Sequence, residues 1–352
     1  MMESDTDTVT IDGRQISPSN PYVIAEIGTN HNGDIEVAKK LIDTTAAAGA
    51  DAVKYQVYHP GDIVTKQISS KEYGFDEYYE AETAFEVYEE HLRTPREWLP
   101  TLFDYAESKG LKNIATVHCE DCASFVIDCG VDALKVASMD LTHTPLLSQL
   151  SEYNCPLILS TGMGSLAEID KAVTVLQNGS LTWLCLLHCV SNYPANPADL
   201  NLRNIPTLNI AFDLPIGFSD HSTSPWTAGL AVAHGASIIE KHITLDSDNL
   251  GPDHSFALEP DELEQLVDAV EMASASRGSR TRFPVDAANR ERYRRSIVAD
   301  EDIPAGTKIT AEHVRFARPG TGIQPDAIET VLGKTASQDI EAEREIEWED
   351  IC

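Results

Sequence analysis

Positive charge is scarce in this sequence: 26 Lys and Arg stand against 57 Asp and Glu, for a formal net charge of −31 at pH 7. The acids are spread along the chain rather than gathered into a tail, and 42% of the residues are hydrophobic. That composition describes a folded protein with an acidic surface, not a disordered polyanion. Such a surface repels a duplex or an anionic membrane, which argues against nucleic-acid and membrane partners. It suits a high-salt cytoplasm, where screening relaxes self-repulsion, so a halophilic protein is expected. No run of about eighteen apolar residues occurs, and the opening MMESDTDTVT lacks the pattern of a secretory signal, so the expected location is cytoplasmic. Cysteine is also sparse, at seven. Cys119 and Cys122 in CEDC have CxxC spacing, but no second pair and no redox βαβ context accompany them. They read as reduced thiols rather than a metal or redox site.

A chain of 352 residues predicts one large domain and a small one, or two of medium size. Eight strand-like runs recur along it: YVIAEIG, DAVKYQVY, NIATVHC, ALKVASMD, PLILSTGM, TWLCLLHCV, IGFSDHS and SIIEKHIT. Amphipathic segments separate them. In DIEVAKKLIDTTAAAGA the apolar positions Ile35, Ala38, Leu41, Ile42 and Ala46 fall on one helical face, behind an Asp34 cap and before Gly49. Eight strands alternating with helices over about 250 residues predict an α/β fold, a (β/α)8 barrel over 1–276, with a doubly wound sheet as the alternative. The connection from His59 to Thr94 is too long for an ordinary loop and predicts a lid or subunit contact. Beyond the barrel, RGSRTRFPVDAANRERYRRS carries seven arginines and reads as a linker over 277–293. Short strands and turns over 294–352 then predict a small β-rich domain.

Barrel enzymes place their chemistry at the C-terminal ends of the strands. Polar residues accumulate there: Glu26, Lys54, Gln56, Thr116, Lys135, Ser138, Ser160, His188, Ser191, Ser219, His221, Lys241 and His242. His221 and His242 close the seventh and eighth runs, and two imidazoles on neighbouring strands suit a divalent ion such as Mn, Co or Zn. Lys54 and Lys135, with the hydroxyls of Thr116, Ser138, Ser160, Ser191 and Ser219, offer the charge and directional hydrogen bonds that a small phosphorylated substrate needs.

The stretches IAEIGTNHNG, AGADAVKYQ, LKVAS, LSTGM, LLHCVSNYP, GFSDHS, IIEKHITLD, GPDHSFALEPDEL and RPGTGI resemble the sialic acid synthase family, which includes N-acetylneuraminate, legionaminate and pseudaminate synthases. The likeness runs from about Tyr22 to the end of the chain. It implies a (β/α)8 barrel followed by a small antifreeze-like (SAF) domain. It also implies a dimer in which each small domain caps the partner's barrel. The implied reaction joins phosphoenolpyruvate to an N-acylated mannosamine-type sugar, giving a nine-carbon 2-keto acid and phosphate. The implied cofactor is a divalent metal, manganese foremost with magnesium or cobalt as substitutes.

Carried over by motif, His221 and His242 would bind the metal and Glu26 would steer or deprotonate water. Lys54, Thr116, Lys135, Ser138, Ser160, Ser191 and Ser219 would hold phosphoenolpyruvate. Gln56, Tyr193, Asp253 and, from a second subunit, Arg318 would face the sugar. Asn30-His31-Asn32 would position the mouth and Glu26. One stretch departs from the family pattern: ATVHCED stands where relatives carry a Ser-Thr-Pro-Phe-Asp run. Two other classes stay open, a Schiff-base aldolase using Lys54, Lys135 or Lys241 and a carbohydrate-binding protein with an inert barrel.

Overall fold

The computed structural model describes residues 9–278 and 287–352. The chain divides into two compact units, Met1–Gly278 and Ser279–Cys352. In the first, a short antiparallel hairpin, β1 (Val9–Ile11) and β2 (Arg14–Ile16), precedes eight parallel strands. These are β3 (Tyr22–Glu26), β4 (Ala52–Val57), β5 (Lys112–Val117), β6 (Ala133–Val136), β7 (Leu157–Ser160), β8 (Leu184–Cys189), β9 (Ile216–Asp220) and β10 (Ile238–His242). Each pairs with the next, and β10 pairs back with β3, so the sheet is a closed barrel. All eight runs read from the sequence are strands of this ring.

The helix after β3 runs Ile35–Ala47, and Asp34 caps it by accepting from the Glu36 N–H. Leu41 and Ile42 of this helix, Leu102 of Leu99–Ser108, Leu147 of Thr144–Ser151 and Ile169 of Leu166–Gln177 pack on the outward residues Val53, Ala115, Leu134 and Leu157. Strand alternation then sets which residues enter the barrel. At its lower end the interior holds Tyr22, Ile24, Ala52, Ile114, Ala133, Ile158, Leu187 and Ile238, and Val9, Ile11 and Ile16 of the hairpin pack into the same cluster. The hairpin therefore stoppers the N-terminal mouth, a feature not foreseen from sequence because its strands are three residues each. Two residues further along β3, β4, β6 and β10, the inward positions become Glu26, Lys54, Lys135 and Glu240, all buried. The apolar floor is thus continuous with a charged upper layer.

In the second unit β11 (Ser296–Ala299) pairs antiparallel with β12 (Val314–Ala317). Ile297, Ile303, Ile309, Ile323, Val331, Ile340 and Ile346 form its core. Part of the expected linker, 279–286, lies outside the described residues; Ala287–Tyr293 is a short helix. Among the described residues no helix is long and apolar enough to cross a membrane.

Candidate active site

The strand ends and the long β4–β5 connection enclose a cavity of about 610 Å³. That connection carries its own small core, Val64, Phe75, Ala84, Val87 and Leu92, and places Tyr58, Tyr73, Phe75 and Tyr88 along the cavity wall. It forms one wall of the cavity on a small packed core of its own.

At the base, four buried charges interlock. Glu26 Oε2 meets Lys54 Nζ at 2.6 Å, and Glu26 Oε1 accepts from Gln56 Nε2 at 2.8 Å. Lys54 also donates to Thr116 Oγ1 at 2.8 Å. Glu240 Oε2 lies 3.7 Å from Lys54 and 3.9 Å from Lys135, while its Oε1 accepts from Ser219 Oγ at 2.9 Å. Lys135 donates to Ser160 Oγ at 2.7 Å and to the Val136 carbonyl at 2.9 Å. Burial foremost, with repulsion from Glu240, raises the Glu26 carboxyl above the ordinary range despite Lys54. Burial opposes the Lys54 charge, but Glu240 and Glu26 outweigh it and raise that ammonium. Lys135 moves down, through burial first and Lys54 repulsion second to the pull of Glu240.

Beside this layer stand the two histidines, with ring centroids 5.5 Å apart. His221 gives its Nδ1–H to the Val190 carbonyl at 3.0 Å, which leaves Nε2 as the free donor atom. His242 Nδ1 is buried without a hydrogen-bond partner and lies 3.5 Å from Asp253 Oδ2. Burial, then the neighbouring cations, hold His242 well below its usual value and so neutral. Burial and Glu26 push Asp253 up to about 6. An unpaired imidazole nitrogen facing a carboxylate beside a second imidazole is a donor set that fits a divalent cation.

The β3 loop explains the abrupt polarity of IAEIGTNHNGD. Gly28 takes φ +53°, and a Cβ there would come within 3.1 Å of Glu26 Oε1 and 3.2 Å of Asp253 Oδ2, so the turn needs glycine. Asn30 Nδ2 donates to the Ile243 carbonyl at 2.8 Å, tying the loop to the end of β10. His31 accepts from the Gly33 N–H at 3.0 Å and meets Thr94 Oγ1 at 3.1 Å, and burial lowers it to about 4. Both its nitrogens are engaged, one within the loop and one by Thr94 of the β4–β5 connection, and the ring does not line the cavity, which makes it a positioning residue rather than a proton carrier.

The structure brings Lys54, Gln56, Thr116, Lys135, Ser138, Ser160, Ser191, Tyr193, Ser219, His221, His242 and Asp253 to the cavity wall, with Glu26 directly behind Lys54 and Gln56. Two residues expected at the mouth turn away. Lys241 faces outward to Asp220 at 3.2 Å, and His188 bonds the Leu200 carbonyl at 2.6 Å. Arg318 lies in the second unit, exposed, with its Nε donating to the Tyr293 carbonyl at 3.1 Å.

Sequence reasoning missed Glu240 and Cys189, both lining the cavity. The signal for Glu240 was present: it stands two residues before His242, and in a strand that is the same face, whereas Lys241 is the opposite one. The departing ATVHCED stretch supplies His118, whose Nδ1 pairs with buried Asp140 at 2.7 Å. His118 also lines the cavity wall, edge-on to Tyr58.

Comparison with known proteins agrees with this geometry. Residues 41–282 match the NeuB family and residues 294–351 the SAF domain. An N,N'-diacetyllegionaminic acid synthase of Legionella pneumophila is 37% identical over 336 residues, 94% of this chain and 94% of that one. An N-acetylneuraminate-9-phosphate synthase of Mus musculus is 33% identical, over 94% of this chain and 92% of its own. The crystal structure of an N-acetylneuraminic acid synthetase from Leptospira borgpetersenii, in complex with citrate, superposes with a TM-score of 0.70 at 32% identity. That match covers 81% of this chain and 95% of the other.

Proposed function

Because the chain belongs to the NeuB family and carries a SAF domain after its barrel, we propose that it condenses phosphoenolpyruvate with an open-chain N-acylated mannosamine-type sugar. The products are a nine-carbon 2-keto acid and inorganic phosphate. The observation that carries this reading is the pair of buried ammonium groups, Lys54 and Lys135, at the base of one cavity with the hydroxyls of Thr116, Ser138, Ser160, Ser191 and Ser219 around them. A small ligand bearing both a carboxylate and a phosphate is the natural occupant of such a cradle.

In the reaction, C3 of phosphoenolpyruvate attacks the aldehyde carbon and C2 becomes electron-poor. The aldehyde oxygen becomes an alkoxide that takes up a proton from solvent, while water adds to C2 and gives up its proton to Glu26, whose raised pKa suits proton acceptance. The tetrahedral adduct then breaks its bond to the phosphate oxygen and leaves the ketone. Gln56, Tyr193 and Asp253 would orient the sugar. His221 and His242, with Asp253 or water completing the set, would hold a divalent ion such as manganese. When bound, that ion supplies Lewis-acid polarisation of the sugar carbonyl. Arg318 would reach a sugar bound in a partner's barrel, in a dimer that exchanges its SAF domains. The acidic composition supports a salt-requiring, halophilic enzyme.

The upper wall favours a neutral acylated sugar over a sugar phosphate. Among the described residues Lys54 and Lys135 are the only Lys or Arg side chains of the cavity, and both sit at its base; the upper wall carries Glu77, Tyr73, Phe75, Tyr78, Met139 and Met163. Apolar contact of this kind suits acetamido and deoxy methyl groups, so a 2,4-diacetamido-6-deoxy mannose, the legionaminate precursor, is the preferred acceptor. Pseudaminate synthesis from the altrose isomer is the runner-up. A Schiff-base aldolase is disfavoured because Lys54 and Lys135 are engaged by Glu26, Glu240 and Ser160 and Lys241 faces away. Borohydride with pyruvate should therefore trap no adduct.

The assay is phosphate release from phosphoenolpyruvate with manganese, at several salt concentrations. The acceptors are the legionaminate precursor, its altrose isomer, N-acetylmannosamine and N-acetylmannosamine 6-phosphate. Release with the first, falling on chelation, is expected; folded, metal-loaded protein that releases phosphate with none of them would overturn the assignment.

Gly162 offers a narrower test of the cradle. A Cβ there would lie 2.4 Å from Ser191 Oγ and 2.7 Å from Ser138 Oγ, and the Gly162 N–H donates to Ser138 Oγ at 3.0 Å. Gly162→Ala should displace both hydroxyls and raise KM for phosphoenolpyruvate roughly tenfold, the loss of one or two hydrogen bonds at about 1 kcal/mol each. The KM for the sugar should stay nearly constant. Equal rises for both substrates would count against a phosphate role for this wall.

A further inference from the structure

A second cluster of donor atoms lies outside the cavity wall, at the ends of β4 and β5. His59 and Asp62 follow β4, and Cys119 and Cys122 follow β5; one ligand atom from each lies within 4.8 Å of the other three. These strands are neighbours in the ring, with Val57 paired to Val117, so the register itself delivers the two halves to one place. The two sulfurs are 2.7 Å apart, and Cys119 caps the helix Glu120–Asp128 by accepting from the Cys122 N–H. His59 Nε2 meets Asp121 Oδ2 at 3.0 Å. That carboxylate, also held by Arg96 at 2.8 Å, is the kind of outer contact that orients a metal-binding histidine.

We propose that His59, Asp62, Cys119 and Cys122 form a structural site for a zinc-class divalent cation, distinct from the His221–His242 pair. Two thiolates, an imidazole and a carboxylate make a closed four-ligand tetrahedral set of the kind that soft to borderline cations prefer. Binding releases two thiol protons to solvent and changes no oxidation state.

The position gives the site a purpose. His59 and Asp62 lie where the β4–β5 connection leaves the barrel, in and just before the short helix Pro60–Ile63, and Tyr58 and Ile63 beside them line the cavity. The cation would pin the root of that connection to the head of the next helix. This also revises the reading of CEDC as two ordinary thiols, which lacked only the partners that the fold supplies from sixty residues upstream.

The test uses the full chain, metal-depleted and then reloaded with cobalt. Thiolate-to-cobalt charge transfer in the near ultraviolet and intense tetrahedral visible bands are expected, both lost in Cys119→Ser/Cys122→Ser. Elemental analysis of protein purified with zinc should show one equivalent more in the wild type than in that variant. If the double variant folds poorly, His59→Ala serves instead, since His59 is exposed; zinc affinity should fall about tenfold or more. Cys189 near His221 could contribute its own band, so the difference between wild type and variant is the signal. Equal metal content and identical cobalt spectra would overturn the proposal. So would peptide mapping that finds Cys119 and Cys122 joined as a disulfide in active protein.

Discussion

Glu26→Gln should lower kcat for phosphate release by roughly 10³-fold, within the range for loss of a positioned general base, while making the metal-free protein more stable at pH 8. The two effects share one cause. Glu26 is completely buried, and burial, ahead of Glu240 repulsion, raises its pKa. A carboxyl whose folded pKa exceeds its unfolded value contributes stability that is fully present below the unfolded value. That contribution is lost as pH rises through the folded one. At pH 8 the ionised form is therefore a burden on the fold, retained because the chemistry needs a base. Glutamine keeps the shape: its carbonyl can accept from Lys54, its NH2 can donate to a flipped Gln56 amide, and Lys54 keeps Glu240 as a carboxylate neighbour at 3.7 Å. Thermal unfolding of chelator-treated wild type and variant at pH 5 and pH 8 checks this. The variant's advantage should be largest at pH 8 and shrink at pH 5. A variant that loses activity and is equally destabilised at both values would make Glu26 a structural partner of Lys54 instead.

The barrel and most of the residues lining its cavity were legible because a parallel barrel writes itself plainly: buried strands are short apolar runs, and each ends where the polar residues start. What went unread has specific physical reasons. The choice between Glu240 and Lys241 depends on strand parity, which Ile238 and Ile239 before them do not mark and which only the spacing to His242 reveals. His188 shares that difficulty, in a strand where all six residues are buried. The hairpin stopper is too short to show alternation. The β4–β5 connection was recognised by its length alone, since its core of Val64, Phe75 and Leu92 follows no single period. The Cys119–Cys122 cluster needed partners that only β4–β5 register brings near.

Glu240→Gln tests the same charged layer from the other side and should behave oppositely to Glu26→Gln. Glu240 sits between both ammonium groups and also accepts from Ser219. Attraction from Lys135 and Lys54 outweighs the burial that would otherwise raise its pKa, so its charge stabilises the fold. Removing it leaves Glu26 as the nearest carboxylate to two buried cations, and stripping a partner from a buried ion pair costs about 3–5 kcal/mol. Lys135, already pushed down by burial, then gives up its proton more readily. The cradle loses part of its charge. The KM for phosphoenolpyruvate should rise roughly 10–100-fold, the equivalent of one charged hydrogen bond. Denaturant unfolding and a phosphoenolpyruvate titration separate the two consequences, and raising the pH should worsen the KM of the variant more than that of the wild type. Two isosteric Glu-to-Gln changes in one buried layer thus carry opposite stability signs, decided by how many cations each carboxylate faces. If both variants lose stability to the same degree, that balance is wrong and the layer acts as a single undifferentiated ion cluster.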